Sequence, residues 1–412
     1  MKVEDVTTSK SVFGDLDQMD MDQGCNRLLK CSKRLWMFGR AFGNTTVGYQ
    51  SKCGEWFGRV YSLAVLLFVA SMWTITVKDF VRHGKVDLGD KTVTFYICMS
   101  WPVLAMVAQL LNIFYIPRRS AELSKTLNVI HKDCFDLDPL VRRANLVTYV
   151  ALAGTLTVMI VMLVVYLKVL PGFPYYISFV HPFEGNYLII LLNVICVAYA
   201  QQCMSYFASA YYISCSIVVF YVTKFEEMLH PKYFKGPETL KACCRAFDTI
   251  ARANQIVDDI YKRFNLLMMA TATGMLTLLV YCLIRTWFSF GVFFWIVAMM
   301  VEIFILATPA IILNDAGSSL IVSVSRLRVR LMDCPNHDYC DVDMKLEILS
   351  LLEQIKGANL GISVYDIFLV DRSVILTMFS TIVTYLIIML QTGSDQPTTT
   401  GVINETTITT RT

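Results

Sequence analysis

The sequence predicts an all-α polytopic membrane protein with seven transmembrane helices, a cytosolic N-terminus and an extracellular C-terminus. Three observations predict it. Of 412 residues, 55% are hydrophobic and only 17% charged, whereas a soluble domain carries about 25% charge; mean hydropathy is +0.53. The apolar residues fall in runs long enough to span a bilayer. Lysine and arginine collect in alternate connecting segments, which sets an orientation.

Taken in order, residues 1–59 are polar, with an acidic patch (Asp15, Asp17, Asp20, Asp22) followed by a basic cluster (Arg27, Lys30, Lys33, Arg34). Such a start does not fit a cleaved signal peptide and reads as a cytosolic tail. Apolar runs then occupy 60–77, 92–116, 146–170, 187–222, 266–285, 291–313 and 373–391. The fourth continues without a turn signal for about 54 Å as a helix, beyond the thickness of a bilayer. It therefore reads as one long helix projecting past the membrane. Its polar residues (Gln201, Gln202, Ser205, Ser209, Ser214, Ser216) imply a buried or water-facing side.

Between the later runs, 224–263 carries apolar residues at helical spacing (Leu240, Phe247, Ile250, Ile256, Ile260), and so does 344–355. These predict cytosolic helix extensions, with 224–263 and 316–362 forming an anchor-like subdomain within the unit 60–362. A final unit, 363–391, carries the last helix, and 392–412 is an extracellular Thr-rich tail.

Orientation rests on the basic residues. Most of the 36 lysines and arginines lie in the proposed inner segments, and Arg118, Arg119, Arg142, Arg143, Lys262 and Arg263 sit at inner ends of spans. The 78–91 loop departs from this pattern with Lys78, Arg82 and Lys85, and Lys91 closes it. Two glycosylation sequons follow from the topology: Asn404 in the outer tail is an acceptor, and Asn44 on the inner side stays bare. The net charge of +3 is too small and dispersed for a nucleic-acid partner, and 13 scattered cysteines read as mostly reduced, buried thiols.

Few residues carry chemistry. Glu302, deep in the sixth span with Pro309 beyond it, is costly to bury and reads either as a ligand-recognition or coupling residue or as a structural acid between helices. Asp371 and Arg372 open the seventh span, as an interfacial anchor, an interhelical ion pair, or a charged ring at the inner mouth of a pore. Cys334, His337 and Cys340 do not have the spacing of a metal site and read as a loop. Aromatic residues at outer helix ends, among them Trp287 and Trp295, serve an interfacial belt or, with His181 nearby, a ligand pocket. No cofactor motif and no catalytic constellation is visible, so an enzyme is not expected.

The last run has the most specific pattern. Small and hydroxylated residues (Ser373, Thr377, Ser380, Thr381, Thr384) recur along it at helical spacings, which suits close packing or a polar path rather than lipid alone. At its end, Thr384-Tyr385 is followed after five residues by Gln391. This resembles the TY–five apolar–QF signature of the insect gustatory receptor family, and the lead-in over 357–372 is similar to that family's as well. The resemblance implies a tastant-gated, non-selective cation channel in the plasma membrane of chemosensory cells. It implies homo- or hetero-tetramers, each subunit lining a central pore with its seventh helix amid membrane lipids. It places tastants among the outer halves of helices two to six. It also implies that Gln391 stands at the outer gate with Ile388 one turn below, and that Thr384 and Tyr385 pack the helix. Thr392 stands where the family usually has Phe, so closure falls either to Leu390, Ile388 or Met389 or to a partner subunit. The family's ligands include sugars, bitter compounds and carbon dioxide, and no stretch here selects among them.

Two other classes compete. A seven-helix G-protein-coupled receptor needs an external N-terminus, against the charge bias, and lacks here its D/E-R-Y and NPxxY motifs. A secondary transporter of the inverted-repeat kind needs two similar halves, which are not visible.

Overall fold

The computed structural model describes residues 33–44, 52–83, 100, 102–128, 138–166, 187–229, 237–285, 290–332 and 342–394. Within them the chain is helical apart from one hairpin. The elements are α1 (Lys33–Ala41), α2 (Lys52–His83), a helix over 102–110 that passes through a π-helical turn, Leu111–Tyr115, into α3 (Ile116–Asn128), α4 (Asp138–Tyr166) and α5 (Tyr187–Met228). Then come α6 (Pro237–Arg285), α7 (Phe290–Met332), α8 (Val342–Gly357), strands β1 (Ser363–Val364) and β2 (Phe368–Leu369), and α9 (Arg372–Ser394). Six helices, α2, α4, α5, α6, α7 and α9, are long and apolar enough to cross a membrane. The run predicted at 92–116 lies partly outside the described residues, and its described part is helical.

The fourth run is a single helix, as its lack of turn signals predicts. α5 extends over 42 residues and packs against α1, α2, α4, α6 and α7. Being apolar on all faces, it belongs in an interior, and Phe207, Tyr211, Val218, Val222 and Phe225 are fully buried. Its serines do not disturb this: Ser209 and Ser214 donate to the carbonyls of Ser205 and Ala210 one turn earlier. An aromatic stack joins α5 to α6, with Phe207 4.0 Å from Phe264 and Tyr211 4.6 Å from Tyr261 between ring centroids.

α6 runs 49 residues without a break, about 73 Å at roughly 1.5 Å per residue. That is more than twice a bilayer core of about 30 Å, so a large part of it stands outside the membrane. α7 is nearly as long, and α3 and α8 pack on these extensions.

Two boundaries differ from the sequence reading. A hairpin occupies 363–369 before the last helix, and that helix continues to Ser394, past Gln391. Strands of two residues have too few positions to show an alternating pattern. Hydropathy marks where apolar residues stop, whereas helical hydrogen bonding continues through Thr392.

Among the described residues, Cys53, Cys196, Cys203, Cys215, Cys243 and Cys244 are free thiols. Asn44 is buried at the end of α1, where a glycan has no room. The Cys334–Cys340 loop and Asn404 lie outside the described residues.

Candidate gate, strap and polar seam

α9 buries a single stripe. Ile375, Met378 and Ile382, at helical spacing, pack toward α6, and Phe379 meets Phe304 of α7 with ring centroids 6.3 Å apart. The remaining faces look outward: Leu376 is 71% exposed, and Val383, Tyr385, Ile387 and Ile388 are about half exposed. The hydroxyls on these faces are satisfied within the helix. Thr377, Thr381 and Thr384 each donate to the carbonyl four residues back, at 2.9, 2.8 and 2.9 Å. A threonine face held in this way can stand in apolar surroundings or beside a polar path without an unpaired donor.

Gln391 and Ile388 lie exposed on this helix one turn apart, and Leu390 is half-buried. Thr392 continues the helical backbone. Thr384 and Tyr385 are exposed, so they are not packed into the interior of this chain.

A strap precedes the helix. Three polar residues of α6 at i, i+4 and i+8, which share one helix face, each hold the chain between α8 and α9. Asn254 donates to the Gly361 carbonyl at 3.2 Å. Asp258 accepts the Ser363 backbone N–H at 2.6 Å and its hydroxyl at 2.9 and 3.0 Å. Lys262 pairs with Asp366 at 2.9 Å, and with Asp259 on its own helix. The hairpin turn places Tyr365 and Asp366 at φ +53° and +60°, a left-handed conformation that costs a non-glycine residue about 1–2 kcal/mol. The Lys262 ion pair and the Ser363 hydroxyl, which accepts the Asp366 N–H at 3.3 Å, hold Asp366 there.

At the head of α9, Asp371 is an N-cap. Its carboxylate accepts the Val374 N–H at 2.9 Å and the Ser373 hydroxyl at 2.7 Å. Arg372 turns away and pairs with Asp315 of α7 at 2.6 Å, the interhelical ion pair among the sequence alternatives. The Ser373 hydroxyl and Val374 N–H hold the Asp371 carboxyl below its ordinary range. A carboxyl lowered on folding contributes its full stability at neutral pH and loses it as pH falls through and below the ordinary carboxylate range. Asp371→Ala is expected to cost about 0.5–2 kcal/mol. The difference in thermal stability between variant and parent should shrink in acid, and a constant difference would remove the cap from the account.

Glu302 sits in a polar seam between α5 and α7. Its Oε1 accepts Gln201 Nε2 at 3.4 Å, and its Oε2 is buried without a hydrogen-bond partner among the described residues. Gln201 also reaches Ser205 Oγ at 3.4 Å. On the next position of α5, Gln202 accepts the Thr155 hydroxyl of α4 at 2.8 Å, and its Nε2 is likewise buried with no partner among the described residues. A third orphan, Asn112 Oδ1, lies at the π-helical turn, while Asn112 Nδ2 reaches Cys203 at 3.6 Å. Of the other proposed pocket residues, Trp295 stands on α7 two turns before Glu302, and His181 and Trp287 lie outside the described residues.

The polar glutamines of the fourth run pointed to a buried side, but not to Glu302 as a neighbour. The strap went unseen. Its only sequence signal is the four-residue spacing of Asn254, Asp258 and Lys262, which any solvated helix face also produces. Among the described residues no group of three or more His, Cys, Asp or Glu side chains is placed to hold a metal.

A family model described as "7tm Chemosensory receptor" matches residues 32–396. The structure of the insect olfactory receptor OR5 from Machilis hrabei in complex with eugenol superimposes with a TM-score of 0.72 at 16% identity, covering 90% of this chain and 100% of that one. A second structure of OR5 gives 0.67 at 15% identity with the same coverage. At such identities the likeness is one of fold. High-energy light unresponsive protein 1 of Caenorhabditis elegans is 28% identical over 95 residues, 23% of this chain. That match spans about a fifth of the relative's length, 21%.

Proposed function

Because the chain belongs to the 7tm chemosensory receptor family, we propose that it is a tastant-gated, non-selective cation channel whose pore is lined by α9 of each subunit. It is a multi-pass membrane protein, and the reading adds the plasma membrane of a chemosensory cell, a cytosolic N-terminus and a seventh span over 92–116. The observation that carries the reading is α9. A membrane-length helix fixed to its own subunit by one stripe and by a strap leaves most of its surface for neighbours or a channel.

Four such helices around an axis would present the Thr/Ser faces and Gln391 to one another. Gln391 would stand at the outer gate, with Ile388 and Leu390 closing the path by dewetting and Thr392 or a partner subunit completing the constriction. Asp371, held as a cap, would sit at the inner mouth as a fixed charge. The tastant would bind among the outer helix halves, where Glu302 and Gln201 form the polar floor and Trp295, Trp287 and His181 the candidate wall. The ligand acts by binding the open state more tightly than the closed one. Eugenol is bound by the OR5 relative; a small apolar molecule with one polar group fits a seam of this composition.

Currents in cells without added G protein test the reading, using a tastant panel on the chain alone and with related subunits. Gln391→Ala is expected to change unitary conductance or basal opening while surface assembly stays intact. Wild-type currents in that variant would remove Gln391 from the gate, and ligand uptake without current would replace the channel by a transporter.

A further inference from the structure

The N-terminal end of α4 carries a cationic patch that serves neither the gate nor the polar seam. α4 shows most of its surface: 17% of its membrane-length stretch is buried, against 61% for α5. Its outward face runs from Leu146 through Val150 and Leu156 to Ile160, all exposed, and holds no charged residue. One turn earlier the same face presents Arg142 and Arg143, both exposed. A lipid-facing surface that turns from aliphatic to cationic within one turn marks the edge of the hydrocarbon layer, because charges are costly inside it.

A second helix gives the same level. α1 is tied to α4 by Arg34, which donates to the Tyr149 hydroxyl and lies over the Tyr149 ring at 5.5 Å. It is tied to α2 by Tyr61, whose hydroxyl donates to the Ala41 carbonyl at 3.0 Å. From Tyr149, Arg143 and Arg142 lie toward the helix N-terminus by about 9–10.5 Å. From Tyr61, the exposed Phe57 and Trp56 lie toward the N-terminus of α2 by about 6–7.5 Å. With 92–116 as a span between them, α2 and α4 run the same way. Exposed aromatic residues on one and arginines on the other then reach the membrane interface together, just beyond α1.

The cations stand in two tiers. Arg34, with the exposed Lys33 beside it in the first turn of α1, lies at the level of Tyr149. Arg142 and Arg143 form a second tier about 10 Å further out. Lys33, Arg142 and Arg143 have no ion-pair partner among the described residues. Asp138, at the head of α4, is the acid of that helix, so positive charge prevails. Guanidinium groups present paired donors that match phosphate oxygens.

We infer that this patch binds the headgroup of a phosphoinositide. Its diester phosphate lies at the hydrocarbon edge beside Arg34 and Lys33, and the phosphates on its ring reach Arg142 and Arg143. A headgroup with a single phosphate meets one tier, and a zwitterionic one brings its own ammonium against the arginines. In the proposed orientation this is the cytosolic leaflet, which carries the anionic lipids. The inference rests on that order of spans and not on channel activity, so a chain that passes no current still holds the lipid.

The test is native mass spectrometry of the full-length protein in detergent, with phosphatidylinositol bisphosphate, phosphatidylserine or phosphatidylcholine added at equal concentration. Expected is severalfold greater retention of the bisphosphate than of phosphatidylserine, and least of phosphatidylcholine. Arg142→Gln with Arg143→Gln, both at exposed positions, is expected to reduce that retention severalfold. Arg245→Gln with Arg252→Gln removes the same charge from exposed positions on α6 and is expected to leave it unchanged. Arg34→Gln also loses the Tyr149 contact, so its expected reduction is read beside the α4 pair. Equal retention of the bisphosphate and phosphatidylserine, parental retention in the α4 pair, or equal loss in the α6 pair would each overturn the site.

Discussion

Gly317→Val is expected to abolish delivery of folded protein to the cell surface. Gly317 lies on α7 where the chain leaving α8 crosses it. A Cβ there would meet the Leu360 Cβ at 2.8 Å and the Leu360 carbonyl oxygen at 3.1 Å. Neither can give way easily. The neighbouring Gly361 carbonyl is held by Asn254 from α6, and a Cβ on Gly361 would itself meet Leu369 at 3.3 Å. Overpacking a closed contact costs about 1–3 kcal/mol, and valine adds two methyl groups to a position that has no room for one. Surface biotinylation and the Tm of detergent-solubilised protein read the effect, with Gly317→Ala expected to be milder. A Gly317→Val protein of parental Tm would show that the crossing is looser than these distances say.

Asp258→Ala should be at least as damaging, and its consequence should be felt at α9. The change removes the acceptor for the Ser363 N–H and hydroxyl, and Ser363 is buried. Hydrogen bonds to a charged group contribute about 1.5–3 kcal/mol, and a buried donor left unpaired costs about 1–3 kcal/mol; a total loss of about 2–4 kcal/mol follows, since Lys262 and Asn254 still hold the strap. A double-mutant cycle with Ser363→Ala isolates the contact. The two single losses should not add, because the hydroxyl bonds that Ser363→Ala removes are among those that Asp258→Ala removes, while the backbone N–H bond is lost only in Asp258→Ala. Strict additivity would mean that the two residues stabilise the chain separately and that α6 does not hold the hairpin through this pair. In protein that still reaches the surface, the cycle in channel opening should be equally non-additive, because the strap joins the longest helix directly to the proposed pore helix.

Much of this architecture was legible beforehand. The unbroken fourth run gave a single α5, because a helix that is apolar on every side can only be interior or in lipid. The apolar spacing in 344–355 gave α8, because helical periodicity is a property of the chain itself. The TY–five–Q pattern of residues 384–391 pointed to the same receptor superfamily that the family match and the fold likeness support. The site was less legible. Glu302 stood out because an acid in a span is expensive, but its partner Gln201 lies 101 positions away, and no local pattern links them.

The sequence by itself determined the class of the molecule, six of its seven apolar runs as the membrane-length helices of the described residues, and the stretch that ends in Gln391. These depend on composition and on periods of 3.6 residues, which are written locally. Only the tertiary structure decided which stripe of α9 is buried, that Arg372 pairs with Asp315 while Asp371 caps the helix, and that Asn254, Asp258 and Lys262 grip the hairpin ahead of it. Those arrangements depend on contacts between residues some 60 to 110 positions apart. The same polar side chains would read as a solvated helix face until the chain returns to meet them.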